Sequence, residues 1–300
     1  MLSDKLRRDA DRLLETEIYS SIFDNKNPQE RPQGFVIGGQ PGAGKSVTRD
    51  EVIRQMEGNV IPVDVDEFRK YHPHIQAIHA RYGKYDSAYT HEFACYIADK
   101  VFEKALEGNY NIVVESTFRS AEAPLAKLQS MKARGYQTGV AMVAVSAEES
   151  WQGVVDRFEK QMKKGYEYPR FTPKSYHDSV IDHIAANANI VQQSGLADTF
   201  IINDRQGNCL YDQAINKEPP SDALFRVINC NKENTLNPDN TKIFADIAAS
   251  FTDRLLTLQQ DQEAGFDIKE NKLAEIRDNL LFEQSKGKMS SRRNDAPEPD

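Results

Sequence analysis

The sequence has few cysteines, and their positions exclude a CxxC-type zinc site or a disulfide framework. Cys95, Cys209 and Cys230 lie far apart among the 300 residues, and no two of them form a CxxC pair. An odd number of scattered thiols is typical of a protein in a reducing compartment. We therefore expect these cysteines to stay unpaired.

Long hydrophobic runs are missing as well. No segment approaches the roughly 18 consecutive apolar residues that a membrane-spanning helix needs. The first residues, MLSDKLRRDADRLLETE, carry too many charges for a signal peptide. The sequence therefore predicts a cytoplasmic protein with no membrane partner.

An excess of positive charge is also lacking. The chain has 46 acidic and 38 basic residues, which gives a formal net charge of −8. A negative balance argues against nucleic acid as the main partner, because the phosphate backbone attracts basic surfaces. A locally basic pocket is still compatible with this balance.

What the sequence does contain is a glycine-rich loop between an apolar run and a segment of helical character. Glycines in such a P-loop let backbone N–H groups surround a polyphosphate at a helix N-terminus. Lys45 would reach the β- and γ-phosphates, and the Ser46 hydroxyl would complete the shell of a Mg²⁺ ion. We predict that ATP or GTP binds to Gly39, Gln40, Pro41, Gly42, Ala43, Gly44, Lys45, Ser46 and Val47.

Acidic residues follow the next predicted strand, which runs from residue 60 to 64. Asp64, Asp66 and Glu67 stand at its carboxyl end, where ligands bind in open α/β sheets. A carboxylate there can accept a proton from a substrate hydroxyl or help to hold Mg²⁺. The alternative is a solvated acidic turn, but the P-loop upstream favours a functional role. Pro62 indicates that the strand lies at a sheet edge or begins there.

A further strand, residues 111–115, also ends in a carboxylate. Glu115 can lie near Mg²⁺, a water molecule or the acceptor substrate, or it can simply cap the next helix. Thr117 and Arg119 add a hydroxyl and a cation at the same edge. Asp99 stands among apolar neighbours on the preceding helix. These side chains are candidates for contacts with a substrate.

Two arginines farther along the chain are candidates for contacts with phosphate. Arg157 lies between the positions of an apolar stripe on a predicted helix and projects sideways from it. The segment KKGYEYPRFTP, residues 163–173, has the composition of a lid whose Arg170 can close over a transferring phosphoryl group. The alternative is an ordinary surface loop with one exposed arginine.

Two helix starts can be predicted in this region. Ser146 is a suitable N-cap, and Glu149 three residues later would complete a capping box. Thr172 and Pro173 fit the N-cap and first position of the next helix.

The chain divides into four predicted parts. An N-terminal amphipathic helix occupies residues 1–30, a P-loop kinase domain 31–218, a helical C-terminal extension 219–284, and a disordered tail 285–300. We predict an α/β fold of the P-loop kinase type, with three layers around a mostly parallel central sheet.

The motifs favour a small-molecule kinase over other P-loop proteins. A regulatory GTPase would need a DxxG motif soon after the P-loop and a later NKxD, and NKxD is absent. The only plausible DxxG, residues 204–207, comes too late in the chain, in the turn of a hairpin predicted between a strand at 199–203 and residues 210–211. Small-molecule kinases instead need a P-loop, an acid after the second strand and arginines on a lid, and this sequence has all three.

Several segments, in order, resemble the zeta toxins of bacterial toxin–antitoxin systems. They are GGQPGAGKS, VDVDEFRKYHP, GNYNIVVESTFR, AVSAEESWQGVVDRFE, PRFTPKSYHD and GLADTFIINDRQGNCLYD, which span about residues 20–215. Zeta toxins are P-loop kinases. The resemblance implies transfer of the γ-phosphate of ATP to the 3′-hydroxyl of the amino sugar in UDP-N-acetylglucosamine, which poisons peptidoglycan synthesis.

The resemblance also implies roles for individual residues. It implies that Lys45 and Ser46 hold the phosphates and Mg²⁺, and that Asp66 is the general base on the sugar hydroxyl. Arg157 and Arg170 would neutralise charge on the transferring phosphoryl group. The residues that would contact the nucleotide sugar are Asp99, Glu115, Thr117 and Arg119. Asp99 stands where the family has Glu. Ser116 and Phe118 stand where the family has glycines, and we expect them to fill space and alter which sugar fits.

Three functions stay open at this point. The first is a toxin that phosphorylates a UDP-activated sugar and is silenced by a small helical antitoxin, as the resemblance implies. The second is a kinase for another hydroxyl acceptor, such as an antibiotic or a nucleotide cofactor. The third is a partner-binding module that uses its P-loop as a nucleotide switch. A hydroxyl base and paired arginines favour the first two, because a switch needs neither.

Overall fold

The fold is built on a six-stranded sheet in which every strand except the last runs parallel. A computed structural model describes residues 2–229. The strands are β1 (Gln33–Gly38), β2 (Ile61–Val63), β3 (Ile112–Ser116), β4 (Gln137–Val143), β5 (Thr199–Asn203) and β6 (Cys209–Asp212). Their order is β2-β3-β1-β4-β5-β6, so β1 lies between β3 and β4.

Helices connect these strands and cover the sheet. Within the described residues they are α1 (Asp4–Leu13), α2 (Tyr19–Phe23), α3 (Lys45–Gln55), α4 (Val65–Phe68), α5 (Ile75–Tyr82), α6 (Ser87–Glu107), α7 (Glu122–Ala133), α8 (Ala147–Lys163), α9 (Lys174–Gln193) and α10 (Pro220–Ile228). A π-helical turn, Leu14–Ile18, joins α1 to α2, and short 3₁₀ turns follow α4 and α5.

Buried side chains lie on both faces of the sheet. In β1, Val36 belongs to a large apolar cluster that includes residues of α6 and α7, whereas Ile37 packs in a second cluster with Val52 of α3. Successive residues of a strand point to opposite faces, so helices must cover both sides. The predicted α/β fold with a mostly parallel central sheet is confirmed.

Two local predictions about the strands are also confirmed. β2, which contains Pro62, lies at one edge of the sheet. There the missing N–H of proline costs little, because one side of the strand has no neighbour. At the opposite edge, β5 and β6 form the predicted antiparallel hairpin, with Ile202 opposite Tyr211.

One of the two predicted helix starts is confirmed, and the other is shifted by one residue. Ser146 caps α8 by accepting a hydrogen bond from the Glu149 N–H at 3.1 Å, but the Glu149 carboxylate forms an ion pair with Arg205, so only half of the capping box is present. α9 begins at Lys174 with Pro173 as its N-cap, one residue later than predicted. The Thr172 hydroxyl is not a cap because it accepts a hydrogen bond from Arg157.

The predicted chain ends are only partly covered. The N-terminal amphipathic helix is present as α1 and α2, and its buried residues Ala10, Leu14 and Ile18 join the large apolar cluster. α10 lies at the start of the predicted C-terminal extension, and the rest of that extension and the predicted tail lie outside the described residues. Within residues 2–229, no helix is both long and apolar enough to cross a bilayer.

Candidate active site

The P-loop connects the carboxyl end of β1 to the first turn of α3. Lys45 is the first residue of that helix, and its Nζ donates to the carbonyl oxygens of Gly39 at 2.9 Å and Gln40 at 3.3 Å. Ser46 follows with an exposed side chain. The lysine therefore folds back over the loop, and the serine hydroxyl is accessible beside it.

Gly42 shows why the loop needs glycine. Its φ of +80° lies in the left-handed region, and a Cβ there would come within 2.0 Å of the Ser150 carbonyl oxygen and 2.7 Å of the Val154 nitrogen. The loop backbone thus packs directly against α8. This contact restricts the shape of the loop.

Carboxylates from the loop after β2 lie next to the P-loop. Asp64 caps α4 by accepting a hydrogen bond from the Asp66 N–H at 2.9 Å, so Asp66 and Glu67 fall in the first turn of α4. Asp66 accepts a hydrogen bond from Arg69 Nε at 2.7 Å, and Arg69 also donates to the Ser87 carbonyl at 2.6 Å. Asp66 is therefore held on one side by an arginine that is itself anchored to α6.

Arg170 approaches the same carboxylates from the segment between α8 and α9. Its Nη2 lies 3.2 Å from Asp64 Oδ2 and 3.4 Å from Asp66 Oδ2, and its Nη1 lies 3.4 Å from Glu67 Oε1. We call these four residues the acid–arginine cluster. The segment predicted to be a lid therefore reaches the residue predicted to be the base, and its arginine pairs with carboxylates there.

Arg157 lies on α8 beside this cluster. Its Nη2 donates to Thr172 Oγ1 at 3.3 Å, while its Nε is buried and has no hydrogen-bond partner among residues 2–229. Burial lowers the pKa of Arg157, and Asp66 opposes that shift. An N–H group left in this position is suited to an anion that enters between the P-loop and the lid.

Glu115 lies at the end of β3, the strand next to β1. Its Oε1 is 3.0 Å from Nη1 of Arg49, which projects from α3 one turn beyond Lys45. Burial raises the pKa of Glu115, and the nearby Asp64 carboxylate raises it further. Arg49 therefore ties the helix that follows the P-loop to the acid of the neighbouring strand.

The charges of the site act on one another. Burial lowers the pKa of Lys45, and Glu115 and Asp66 oppose that shift. Burial alone would raise the pKa of Asp66, but Arg170, Arg69 and Arg157 outweigh it and hold that pKa below its usual range. Asp66 is accordingly an ionised carboxylate at neutral pH, within electrostatic reach of the P-loop lysine.

The residues predicted to bind the sugar fall into two groups. Thr117 Oγ1 lies 3.3 Å from the hydroxyl of Tyr176, and the Arg119 guanidinium lies over the same ring at 4.9 Å. Both follow β3 directly after Glu115. Asp99 lies apart from them, since its carboxylate pairs with Lys127 of α7 at 2.7 Å. The structure thus groups Thr117 and Arg119 at the strand ends and places Asp99 in a separate ion pair.

The expectation that Phe118 fills space near the sugar is wrong. Its side chain is fully buried, and its ring lies so close to Gly38 that a Cβ there would be 2.7 Å away. The φ of Phe118 is +56°, a conformation that favours glycine, and it turns the ring into the core. Asn187 stabilises the turn by donating to the carbonyls of Phe118 and Arg119.

Three arginines that contact the site were not among the sequence candidates. Arg49 lies four residues after Lys45 on α3, and Arg69 three residues after Asp66, so helical spacing was a usable signal for both. Arg205 donates to the carbonyls of Gly42 and Ala43 from the β5–β6 turn. No local pattern marks its distant contact.

The residues present fit a nucleoside triphosphate with Mg²⁺. Lys45 and the unpartnered Nε of Arg157 would meet phosphate oxygens, and Ser46 and a strand-end carboxylate would hold the metal. When bound, Mg²⁺ neutralises charge on the β- and γ-phosphates.

The strand order and this geometry place the chain among P-loop kinase-like proteins, a class that binds nucleotides. The family model for zeta toxins matches residues 19–216, and the chain belongs to that family. The resemblance predicted from the sequence is thereby confirmed.

Individual relatives agree with this assignment. The chain is 29% identical to toxin PezT of Streptococcus pneumoniae over 208 residues, covering 69% of this chain and 82% of that protein. It is 28% identical to toxin zeta of Streptococcus pyogenes over 209 residues, covering 69% and 73%. A solved structure from the PezAT toxin–antitoxin system of S. pneumoniae matches the fold with a TM-score of 0.64 at 22% identity, over 85% of this chain and 98% of that one.

Proposed function

We propose that this chain is a toxin kinase that transfers the γ-phosphate of ATP to the 3′-hydroxyl of the amino sugar in UDP-N-acetylglucosamine, or in a related UDP-activated sugar. The product would block cell-wall synthesis. The observation that carries the proposal is the contact between Asp66 and Arg170, at 3.4 Å, beside the P-loop. A hydroxyl base and a phosphate-binding arginine side by side are what transfer to an alcohol requires.

In the proposed reaction, the sugar hydroxyl oxygen forms a bond to the γ-phosphorus. The bond from that phosphorus to the β,γ-bridging oxygen breaks, and its electron pair leaves with ADP. Asp66 accepts the hydroxyl proton. Lys45, Arg157 and Arg170 stabilise the negative charge on the transferring group and on the leaving phosphate.

The contacts of Arg170 suggest how the base becomes available. The arginine lies against Asp64, Asp66 and Glu67. A γ-phosphate competes for the same guanidinium, and its arrival would weaken the hold of Arg170 on Asp66. Loss of a cationic neighbour raises the pKa of a carboxylate. The base would therefore gain basicity when the donor is in place.

The acceptor would bind where the ends of β2 and β3 meet. Glu115, Thr117 and Arg119 lie at or just beyond the end of β3 and offer a carboxylate, a hydroxyl and a planar cation to the nucleotide sugar. For Asp99, a role requires the acceptor to compete with Lys127 for its carboxylate. We propose these four as substrate-binding residues.

We also propose a protein partner. The PezAT structure comes from a toxin–antitoxin system, and a kinase that poisons its own cell needs an inhibitor. A small helical antitoxin that covers the nucleotide site in the cytoplasm would meet this need. If the chain is toxic, expressing it should stop growth, and co-expression with a small helical antitoxin that binds it should restore growth.

The direct test is to incubate the purified protein with ATP, Mg²⁺ and a panel of acceptors, and to record the mass of each. We expect a gain of one phosphoryl group on UDP-N-acetylglucosamine or a close UDP-sugar. A gain confined to an aminoglycoside or a nucleotide cofactor would assign the second candidate function. ATP binding without any transfer would indicate a nucleotide-regulated binding module and contradict the proposal.

A further inference from the structure

The turn between β5 and β6 is held rigid by its own aspartate. Asp204 accepts hydrogen bonds from the backbone N–H of Gln206 at 2.9 Å and of Asn208 at 2.8 Å, and from the Asn208 side chain at 2.7 Å. A side chain that satisfies three donors fixes the turn. Arg205 follows Asp204 in this turn, so the fixed turn sets the position from which the Arg205 side chain extends.

Arg205 reaches the outer side of the P-loop. Its Nη2 donates to the Gly42 carbonyl oxygen at 2.6 Å, and its Nε donates to the Ala43 carbonyl oxygen at 3.3 Å. Its Nη1 lies 3.3 Å from the Glu149 carboxylate, at the start of α8. One guanidinium thus joins two consecutive P-loop carbonyls to the helix that carries Arg157.

These contacts orient the N–H groups that a polyphosphate needs. In a trans peptide the carbonyl and the N–H point in opposite directions. Holding the carbonyls of Gly42 and Ala43 toward Arg205 turns the N–H groups of Ala43 and Gly44 away from it. The Ala43 N–H closes the loop on the Gln40 carbonyl at 3.1 Å, and that of Gly44 is directed away from Arg205 by the same clamp.

The loop has little freedom to adopt another shape. On α8, a Cβ at Gly153 would lie 2.3 Å from the Gly42 carbonyl oxygen and 3.1 Å from Arg205 Nη2. The loop backbone, the arginine and the helix therefore meet at one crowded point. If Arg205 were replaced by a side chain without a guanidinium, the Gly42 carbonyl would lose its hydrogen bond from Arg205 Nη2.

We propose that Arg205 is a positioning residue for the phosphoryl donor. It holds the carbonyls of Gly42 and Ala43 toward itself, so that the Gly44 N–H is left to face the phosphates. The inference rests on nucleotide binding by the P-loop and is independent of the acceptor. The planar guanidinium is needed because it donates to two carbonyls and pairs with the Glu149 carboxylate at the same time. A lysine ammonium does not reproduce this geometry.

The test is calorimetric binding of Mg²⁺-ATP and of Mg²⁺-tripolyphosphate, with no acceptor present. Arg205→Gln should weaken both ligands by about tenfold or more and by the same factor, since charge-assisted hydrogen bonds that shape the loop are lost. Arg205→Lys should fail to restore either affinity. Arg226→Gln is the matched control, because Arg226 forms an exposed pair with Glu218, and it should leave both affinities unchanged.

The two ligands separate the alternatives. A loss for ATP with unchanged tripolyphosphate binding would show that Arg205 contacts the nucleoside, and would overturn the inference. Full affinity in Arg205→Gln or Arg205→Lys would also overturn it. If thermal unfolding shows that neither variant is folded, Glu149→Gln tests the same anchor. The affinity for both ligands should then fall by about two- to threefold. Unequal losses of affinity, or none, would contradict the inference. A missing phosphoryl transfer to UDP-sugars would leave this result untouched.

Discussion

The P-loop and the acid–arginine cluster are neighbours that are built in different ways. The P-loop is one contiguous segment, and its backbone is clamped by Arg205 and by α8. The acid–arginine cluster brings Arg170 across the site to residues more than a hundred positions earlier, Asp64 among them, and ion pairs hold it together. One half is shaped by packing and the other by charge.

This difference has a functional consequence. A loop fixed by packing can bind the donor without rearrangement. The entropic cost of ordering the loop therefore arises when the protein folds and does not weaken donor binding. In the proposed reaction, the ion pairs of the cluster would exchange partners when phosphate arrives. We therefore expect changes in the cluster to affect the chemical step, and changes around the P-loop to affect donor binding.

The largest expected effect is that of Arg170→Ala on turnover. An arginine that stabilises the transferring phosphoryl group can contribute about 10³–10⁵ in rate, so kcat should fall by about 10³ or more. The measurement is transfer to UDP-N-acetylglucosamine at saturating substrates. Lys164→Ala removes an exposed cation from the same lid segment and should leave kcat unchanged. Equal effects of both changes would contradict a specific role for Arg170.

Next in size is Asp66→Asn. Removing a general base costs about 10²–10⁴ in rate, so kcat should fall within that range while the Kd for ATP changes little. Rapid-quench kinetics and calorimetry measure the two quantities separately. Glu51→Gln, which alters an exposed carboxylate on α3, serves as the control. Normal turnover in Asp66→Asn would remove the base assignment.

A smaller effect is expected on the pH dependence. Arg170, Arg69 and Arg157 hold the pKa of Asp66 below its usual range against the effect of burial. Arg69→Gln removes one of these cations, so the pKa should rise. The acid limb of kcat/KM should then move to higher pH. Because that limb lies in the acid range, both profiles are measured down to the lowest pH at which the protein stays folded, and a limb at the same pH in both proteins, or one that moves to lower pH, would contradict this account of the cluster.

The smallest effect concerns the link between the two halves. The Arg49–Glu115 ion pair is largely buried, so Arg49→Ala leaves a buried carboxylate without this partner and should lower the free energy of unfolding by about 1–2 kcal/mol. Arg54→Ala breaks an exposed pair on the same helix and should cost less than about 0.5 kcal/mol. Urea denaturation of both variants makes the comparison. Similar losses of unfolding free energy in the two variants would mean that burial of the Arg49–Glu115 pair adds nothing to its contribution to stability.

How much could be predicted from the sequence depends on how local each feature is. The P-loop, the apolar strands and the edge position of Pro62 all follow from short patterns, and the structure has them. These features could be predicted because neighbouring residues decide them. The proximity of Asp66 and Arg170 is a distant contact, and it was implied by the roles that the kinase class and the family resemblance gave the two residues, not by a short pattern.

Features that depend on distant contacts or on one backbone angle could not be predicted. Phe118 has a positive φ and its ring lies in the core, and a phenylalanine in the sequence gives no indication of such a backbone angle. Arg205 contacts the P-loop from a turn about 160 residues away, a pairing that only the sheet order creates. The start of α9 was misplaced by one residue because the Thr172 hydroxyl binds Arg157 instead of capping the helix.

The most direct test of the proposed function is to locate the transferred phosphorus on the product. After incubation with ATP, Mg²⁺ and UDP-N-acetylglucosamine, a phosphorus–proton correlation spectrum of the purified product should show coupling to the proton on carbon 3 of the amino sugar. Asp66→Asn should yield no such product although it still binds ATP. Phosphorus on another atom, or release of free phosphate alone from the wild-type protein, would contradict the assignment.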